Sequence, residues 1–311
     1  MLPVTRRDLL AALAGVAVLP LAACAQGSPV VRGGPTAPPP RPTAPVVPGA
    51  PEGADREDVL AALARGRGRG EEGGDADRWV TLAEVHAEHA LVLRRPDPTV
   101  PPPGAGPSPT PAPVPAPPEG ARWEEEAATA AEEHRRSAAA ASGDLALLWA
   151  SLAAFAAAAP RAAVLAPAAP PPLTAAPSDD LAAMGDLVTA LHQAVFGYEL
   201  ALVPLAGGGE QDAVRSRLEQ LLGTRDRVGA VLAARGRAVP TAATGYDVEV
   251  PGDEAASRRL RRAVEGGLLP WSGGWVRASG DRERPAAVAA LVSGTVTAAA
   301  LGSELGAWPG W

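Results

Sequence analysis

The sequence predicts an all-α protein, and three of its features support that fold class. The chain has 311 residues, of which 47% are hydrophobic but only 4% aromatic. Alanine, the residue with the highest helix propensity, supplies much of the apolar content. Apolar residues also recur at spacings of three and four, as they do on one face of a helix. The intervening stretches are rich in proline, which interrupts helices and sheets. We therefore expect helices joined by proline-rich linkers rather than a β-sandwich or barrel.

The charge balance argues against a nucleic-acid partner. The chain has 28 basic and 35 acidic residues and a formal net charge of −7. Proteins that bind nucleic acid carry a positive surface that neutralises phosphates. No such partner is expected here.

The first 23 residues have the three-part pattern of an export signal. Arg6 and Arg7 precede an apolar stretch, which ends in Leu-Ala-Ala before Cys24. The paired arginines resemble a twin-arginine signal, and Leu-Ala-Ala-Cys resembles the box at which bacterial lipoproteins are cleaved and lipidated. The resemblance implies a mature chain anchored by a lipid on Cys24, its one cysteine, and a location at the cell membrane outside the cytoplasm. The alternative is an ordinary secretory signal that contains a cysteine.

Three proline-rich segments divide the mature chain. Residues 24–53 are expected to be a lipidated, solvated tether. Residues 96–118 are expected to form an exposed loop within an N-terminal helical region, 54–160. Residues 160–177 separate that region from a C-terminal half, 178–306.

Four helices are predicted in the N-terminal region. The first ends at a glycine-rich run, the second has apolar residues on one stripe, the third opens with acidic residues that suit a helix N-terminus, and the fourth is continuously apolar. Their predicted ranges are 55–65, 77–95, 122–141 and 143–159.

The apolar residues of the C-terminal half recur more regularly. They form a seam, the line of positions along which one helix packs on another. The spacings of four and three that follow Ser178 predict one helix up to Leu205, and the same spacings predict a second helix over 211–235. Two more are predicted over 253–279, interrupted at 269–275, and over 281–306. Four such helices joined in sequence predict an antiparallel four-helix bundle.

Four motifs in this half resemble a known family: residues 191–198, Arg225-Asp226, 231–236 and 246–251. They are similar to the ferritin-like domain of unknown function found in exported proteins of high-GC bacteria. The resemblance implies a ferritin-like bundle over 178–306, and no reaction, because the family has no assigned activity. Ferritin-like di-metal sites use Glu-x-x-His, and none of the four histidines here has a glutamate three residues before it.

The C-terminal half still offers two interpretations of its polar residues. His192, Glu199 and Glu265 could form the remnant of a metal pocket. Alternatively, the network is structural, with Arg225 at a seam position beside Asp226 and paired with Glu199 or Glu265. We favour the structural interpretation because a buried arginine needs a carboxylate partner.

The N-terminal half offers a second candidate metal site. His86 and His89 share one helical stripe, and His134 lies on the corresponding stripe of the third helix. Three histidines with Glu84, Glu88 or Glu133 as a fourth ligand would suit zinc or another transition metal. The alternative, which the incomplete motif favours, is three hydrogen-bonded histidines in an alanine-rich core and no cofactor.

No complete catalytic motif is present, so an enzyme is not expected. Of the four C-terminal tryptophans, Trp271 and Trp275 are predicted to lie in the core, and Trp308 and Trp311 in a frayed tail. The sequence favours a non-catalytic, lipid-anchored envelope module that binds an envelope protein or a small ligand. An extracytoplasmic metal-binding or redox protein and a hydrophobic-ligand carrier are the alternatives.

Overall fold

Eight α-helices make up nearly all of the secondary structure in the computed structural model, which describes residues 47–100, 116–172 and 180–311. A short 3₁₀ helix, Ala159–Arg161, and a parallel pair of two-residue strands complete it. The expected all-α class is confirmed. The elements are α1 (Ala50–Gly68), α2 (Gly74–Leu93), α3 (Trp123–Ala140), α4 (Gly143–Ala158), β1 (Val164–Leu165), α5 (Asp180–Ala201), α6 (Gly209–Ala234), α7 (Glu254–Ala278), α8 (Arg284–Ala300) and β2 (Glu304–Leu305).

The N-terminal half consists of two packed helix pairs, α1 with α2 and α3 with α4. Helix α1 begins at Ala50, inside the segment predicted to be tether, because a proline follows in its first turn and Gly49 (φ 81°) turns the chain into it. Gly53 is required within α1, since a Cβ there would lie 2.6 Å from the Trp149 ring. The expected tether therefore ends at least four residues earlier than predicted.

Helix α4 lies at the centre of the fold and contacts α3, α7 and α8. It is the one stretch among the described residues, Gly143–Arg161, that is long and apolar enough to cross a membrane by length and composition. Its most apolar window is 72% buried within the fold, as in a core helix. The described residues all belong to one compact unit, so the two helical halves pack together.

In the C-terminal half α5 packs on α6 and α7, and α7 packs on α8. The predicted interruption at 269–275 is wrong, because α7 continues through Pro270. A proline removes one backbone hydrogen bond, but Leu268, Ser272 and Trp275 are buried on either side of it and hold the helix in place. Trp271, by contrast, is 43% exposed and lies outside the core.

The chain beyond α8 is ordered by its contacts, so the predicted frayed tail is also wrong. Helix α8 ends at Ala300 rather than near residue 306. β2 then pairs in parallel with β1, which belongs to the segment predicted as a linker between the halves. Trp308 is 7% exposed. We call Leu301–Trp311 the C-terminal segment.

Several sequence predictions fall outside the described residues. They concern the export signal with Arg6 and Arg7, the lipidation site Cys24, most of the tether and most of the proline-rich loop.

Candidate functional site

Three of the four histidines converge in the N-terminal half, as their helical spacing suggested. His86 and His89 come from α2, and His134 comes from α3. They surround Glu57 of α1, and all four residues are at most 1% exposed. We call these four residues the Glu57 cluster.

The Glu57 carboxylate accepts hydrogen bonds at both of its oxygens. Nδ1 of His86 lies 2.7 Å from Oε2 of Glu57, and Nδ1 of His89 lies 3.0 Å from the same oxygen. Nε2 of His134 lies 2.8 Å from Oε1. A single buried carboxylate therefore connects α1 with both α2 and α3.

The sequence of α1 explains how a carboxylate reaches this depth. Glu57 lies in a stripe of small residues spaced by four and three, which allows α1 to approach α2 closely. On α2, His86 and His89 are one turn apart and so present both rings to the same side. The small residues of the stripe are Ala50, Ala54, Ala61 and Ala64, all of them buried.

Aromatic rings enclose the cluster. Phe155 of α4 makes edge contacts with His86 and His89, at 5.5 and 5.0 Å between ring centroids. Trp149 stacks on His134 at 5.4 Å, and Trp308 lies 4.5 Å from His89. These rings bury the cluster in apolar surroundings, which strengthens the electrostatic interactions inside it.

The electrostatics keep Glu57 ionised. Burial alone would raise the pKa of this carboxyl group, but the charge of His86 and the hydrogen bonds from the three histidines hold the pKa well below its usual value. Burial lowers the pKa of His86 despite the neighbouring carboxylate. Because Nδ1 of His86 faces a carboxylate oxygen, it carries the hydrogen that is donated to Glu57.

His89 faces an oxygen acceptor at each of its ring nitrogens. Nε2 lies 2.8 Å from the Ala307 carbonyl oxygen, and Nδ1 faces Oε2 of Glu57. A carbonyl can only accept, so Nε2 carries a hydrogen, and a neutral imidazole has only one. A bare Nδ1 facing a carboxylate oxygen would be repulsive. A cation, either a second proton or a metal ion, must lie between them.

An open cavity of about 570 Å³ leads from the surface to His134 and Trp149. The carboxylates of Glu52, Asp55 and Glu133 line it. Arg56 and Arg136 line it as well, so the lining carries both signs of charge, and the cavity provides a route from solvent to His134.

The carboxylates proposed from sequence as a fourth ligand all lie elsewhere. Glu84 is exposed, Glu88 lies 3.6 Å from Arg95, and Glu133 accepts two hydrogen bonds from Arg56. Their positions on α2 and α3 place them next to the histidines in sequence but direct them to solvent or to arginine partners. Glu57, which sequence reasoning missed, takes their place.

A second buried network lies in the C-terminal half and is centred on Glu265 of α7. Arg217 of α6 donates to both carboxylate oxygens at 2.8 and 2.7 Å, and the Tyr198 hydroxyl donates to Oε1 at 2.5 Å. Burial and the adjacent carboxylate raise the pKa of Tyr198. Burial would lower the pKa of Arg217, but its bonds to Glu265 raise it instead. This arrangement is a bidentate ion pair, and Arg217 donates further hydrogen bonds to Gln220 and Ser293.

The predicted partners of this network must be corrected. Arg225 pairs with its neighbour Asp226 at 2.7 Å near the surface, and Glu199 is exposed. The Nε2 atom of His192 lies 3.1 Å from the Pro240 carbonyl oxygen. The structure therefore separates His192, Glu199 and Glu265 instead of joining them in a pocket. Among the described residues, the one group of three or more potential ligands with ligating atoms within 4.8 Å of one another is Glu57, His86 and His89.

The fold and these two networks define an all-α protein with a buried carboxylate–histidine cluster in its N-terminal half. Residues 183–311 match the family model described as a domain of unknown function (DUF4439). The match includes Glu265 and the C-terminal segment, whereas the four residues of the Glu57 cluster precede it. Searches of curated proteins and of solved structures found no match.

Proposed function

We propose that this chain is a non-catalytic, metal-binding helical protein in which the Glu57 cluster holds one divalent transition-metal ion. The observation that carries the proposal is the position of His89 between two acceptors. With Nε2–H donating to a backbone carbonyl, Nδ1 presents a lone pair to Glu57. Metal-binding histidines commonly use their second nitrogen in this way, because that hydrogen bond fixes the ring and its tautomer.

The ligand set matches zinc best. Glu57, His86 and His89 hold three ligand atoms within 4.8 Å of one another, and His134, which faces the other carboxylate oxygen, would move in as the fourth ligand of a tetrahedral site. A site with four protein ligands is typical of structural rather than catalytic zinc. A tetrahedral ion with bonds of about 2.0–2.1 Å holds its ligand atoms about 3.3 Å apart. The nitrogen–oxygen separations of 2.7 and 3.0 Å at Oε2 of Glu57 need to widen only slightly when an ion replaces the shared hydrogens, whereas His134 must move further.

We expect the full-length chain, purified without chelator, to contain about one equivalent of zinc. A variant with His86, His89 and His134 all replaced by alanine should contain less than about a tenth of an equivalent. Elemental analysis measures the content, and the zinc-induced shift in Tm provides a second readout. The proposal predicts a shift in the wild type and none in the variant.

The fourth histidine supplies the matched control. His192→Ala removes an imidazole that binds a backbone carbonyl away from the cluster, so its zinc content should equal that of the wild type. His134→Gln keeps a side chain of similar size, and its helical circular dichroism separates loss of metal from loss of fold. A wild type that takes up no zinc and shows no Tm shift would leave a proton as the cation at His89 and refute the proposal.

We further propose that this module works outside the cytoplasm, anchored to the cell membrane through Cys24 and contacting an envelope partner or a small ligand. The support is the sequence pattern of residues 1–24 alone. Cys24→Ser should abolish labelling by a palmitate analogue and move the protein out of the membrane fraction. Retention of both the label and the membrane association would contradict a lipid anchor at this residue.

A further inference from the structure

The C-terminal segment reaches across the fold to the Glu57 cluster. After β2, the carbonyl oxygen of Ala307 accepts the hydrogen bond from Nε2 of His89 at 2.8 Å. The two residues are 218 positions apart in the chain. The last residues of the family-matched region therefore contact a site whose four side chains all precede that region.

Trp308 holds the Ala307 carbonyl beside His89 through two interactions of its own side chain. Its ring lies 4.5 Å from the His89 ring, and its Nε1 donates to the Ala169 carbonyl oxygen at 2.6 Å. The side chain is buried, with 7% relative exposure. Because Trp308 is held by a tilted ring contact with His89 and by a hydrogen bond, we expect its movement to displace the adjacent Ala307 carbonyl as well.

The end of the segment is seated on α7 by direct backbone contact. A Cβ at Gly273 would lie 1.8 Å from the carbonyl oxygen of Gly310, a distance that no side chain tolerates. Gly310 itself has φ 93°, a conformation that favours glycine. The guanidinium of Arg277 lies 5.8 Å from the Trp311 ring. The segment is therefore anchored to α7 at a point away from the histidines.

We infer that the C-terminal segment is the positioning element of the metal centre, with the Ala307 carbonyl fixing His89 in the tautomer whose Nδ1 faces Glu57. This inference rests on the proposed function. Hydrogen-bond partners of metal-binding histidines commonly change metal affinity by about 10–100-fold when they are removed. The segment also covers His89 with an aromatic ring, which shields the site from water. It thereby makes metal binding in the N-terminal half depend on the C-terminal half.

Two variants test the inference without altering any ligand. A chain that ends at Gly306 lacks the carbonyl and both tryptophans, and we expect its affinity for Co²⁺ and Zn²⁺ to fall by about 10–100-fold. Gly273→Ala keeps the whole segment but displaces its end, and we expect a smaller loss of the same kind. Titration with Co²⁺ follows affinity, and its visible absorption spectrum reports ligand geometry, which a purely structural role would leave unchanged.

Gly274→Ala is the matched control. A Cβ at Gly274 meets only the Ala183 Cβ at 3.8 Å, an ordinary contact. This variant makes the same chemical change one residue along the same helix, so its Co²⁺ affinity and spectrum should equal those of the wild type. Helical circular dichroism in the presence of chelator checks that each variant is folded.

The outcomes separate the two proposals. A wild type that binds neither Co²⁺ nor Zn²⁺ refutes the proposed function, and the inference with it. A wild type that binds, together with folded variants that keep its affinity and its Co²⁺ spectrum, overturns the inference alone. If the shortened chain does not fold, Gly273→Ala compared with Gly274→Ala decides the question by the same two readouts.

Discussion

Replacement of Glu57 by alanine is expected to lower the free energy of unfolding by about 3–5 kcal/mol, even with all metal removed by a chelator. The change deletes the acceptor of three buried histidines. His89 retains the Ala307 carbonyl, but the N–H groups of His86 and His134, which are at most 1% exposed, lose their partner. An orphaned buried donor costs about 1–3 kcal/mol, and the cavity left by the side chain adds to that cost. Urea denaturation followed by circular dichroism measures the loss.

Two further variants serve as comparisons for Glu57→Ala. Glu57→Gln keeps the shape and one acceptor, so its loss should be smaller, at about 1–2 kcal/mol. Glu84→Ala removes a carboxylate from the exposed face of the histidine-bearing helix and should change stability by less than about 0.5 kcal/mol. If Glu57→Ala were as mild as Glu84→Ala, the carboxylate would not hold the three helices together.

The helical spacing was sufficient to predict that His86, His89 and His134 face a common interior, and the structure brings them together. It was not sufficient to identify Glu57. The signal was present, because Glu57 occupies the middle of a stripe of buried alanines on α1. Alanine stripes are weakly apolar, however, so the carboxylate did not stand out as an exception. Only the packing of α1 on α2 and α3 shows that this face is buried.

The apolar pattern of α6 did not show which of its arginines reaches Glu265. Val214 and Leu221 are buried, and both Arg217 and Leu218 lie between them at helical spacing. The pattern therefore could not distinguish Arg217, which reaches Glu265, from Arg225, which was predicted to do so. Arginine has a long side chain, and its head can lie well away from the face where its Cα sits.

The contact of the C-terminal segment with His89 could not be predicted at all from the sequence. It depends on the register of β2 with β1 and on the close approach of Gly273 and Gly310. Both are consequences of how the two halves pack. Glycines near a chain end are ordinary in loops and tails, so the sequence gives no sign that these two touch.

The buried network of the C-terminal half leads to the second large effect. Glu265→Ala should lower the free energy of unfolding by about 3–5 kcal/mol, because it leaves a mostly buried guanidinium without its carboxylate. Arg217 donates two hydrogen bonds to Glu265, and its side chain is only 13% exposed. The Tyr198 hydroxyl loses its acceptor at the same time. Urea denaturation of the full-length chain measures the loss.

The surface pair that sequence reasoning placed in this network is the appropriate control. Asp226→Ala breaks the ion pair with Arg225, but the Asp226 side chain is 66% exposed and both groups can be solvated after the change. Exposed pairs contribute at most about 1 kcal/mol.

Glu265→Gln keeps an acceptor for Tyr198 but removes the charge that Arg217 faces. Its loss in the free energy of unfolding should lie between those of the other two variants. Equal losses for Glu265→Ala and Asp226→Ala would mean that burial of Arg217 does not depend on its partner. A large excess for Glu265→Ala would show that the burial of Arg217 depends on its carboxylate partner.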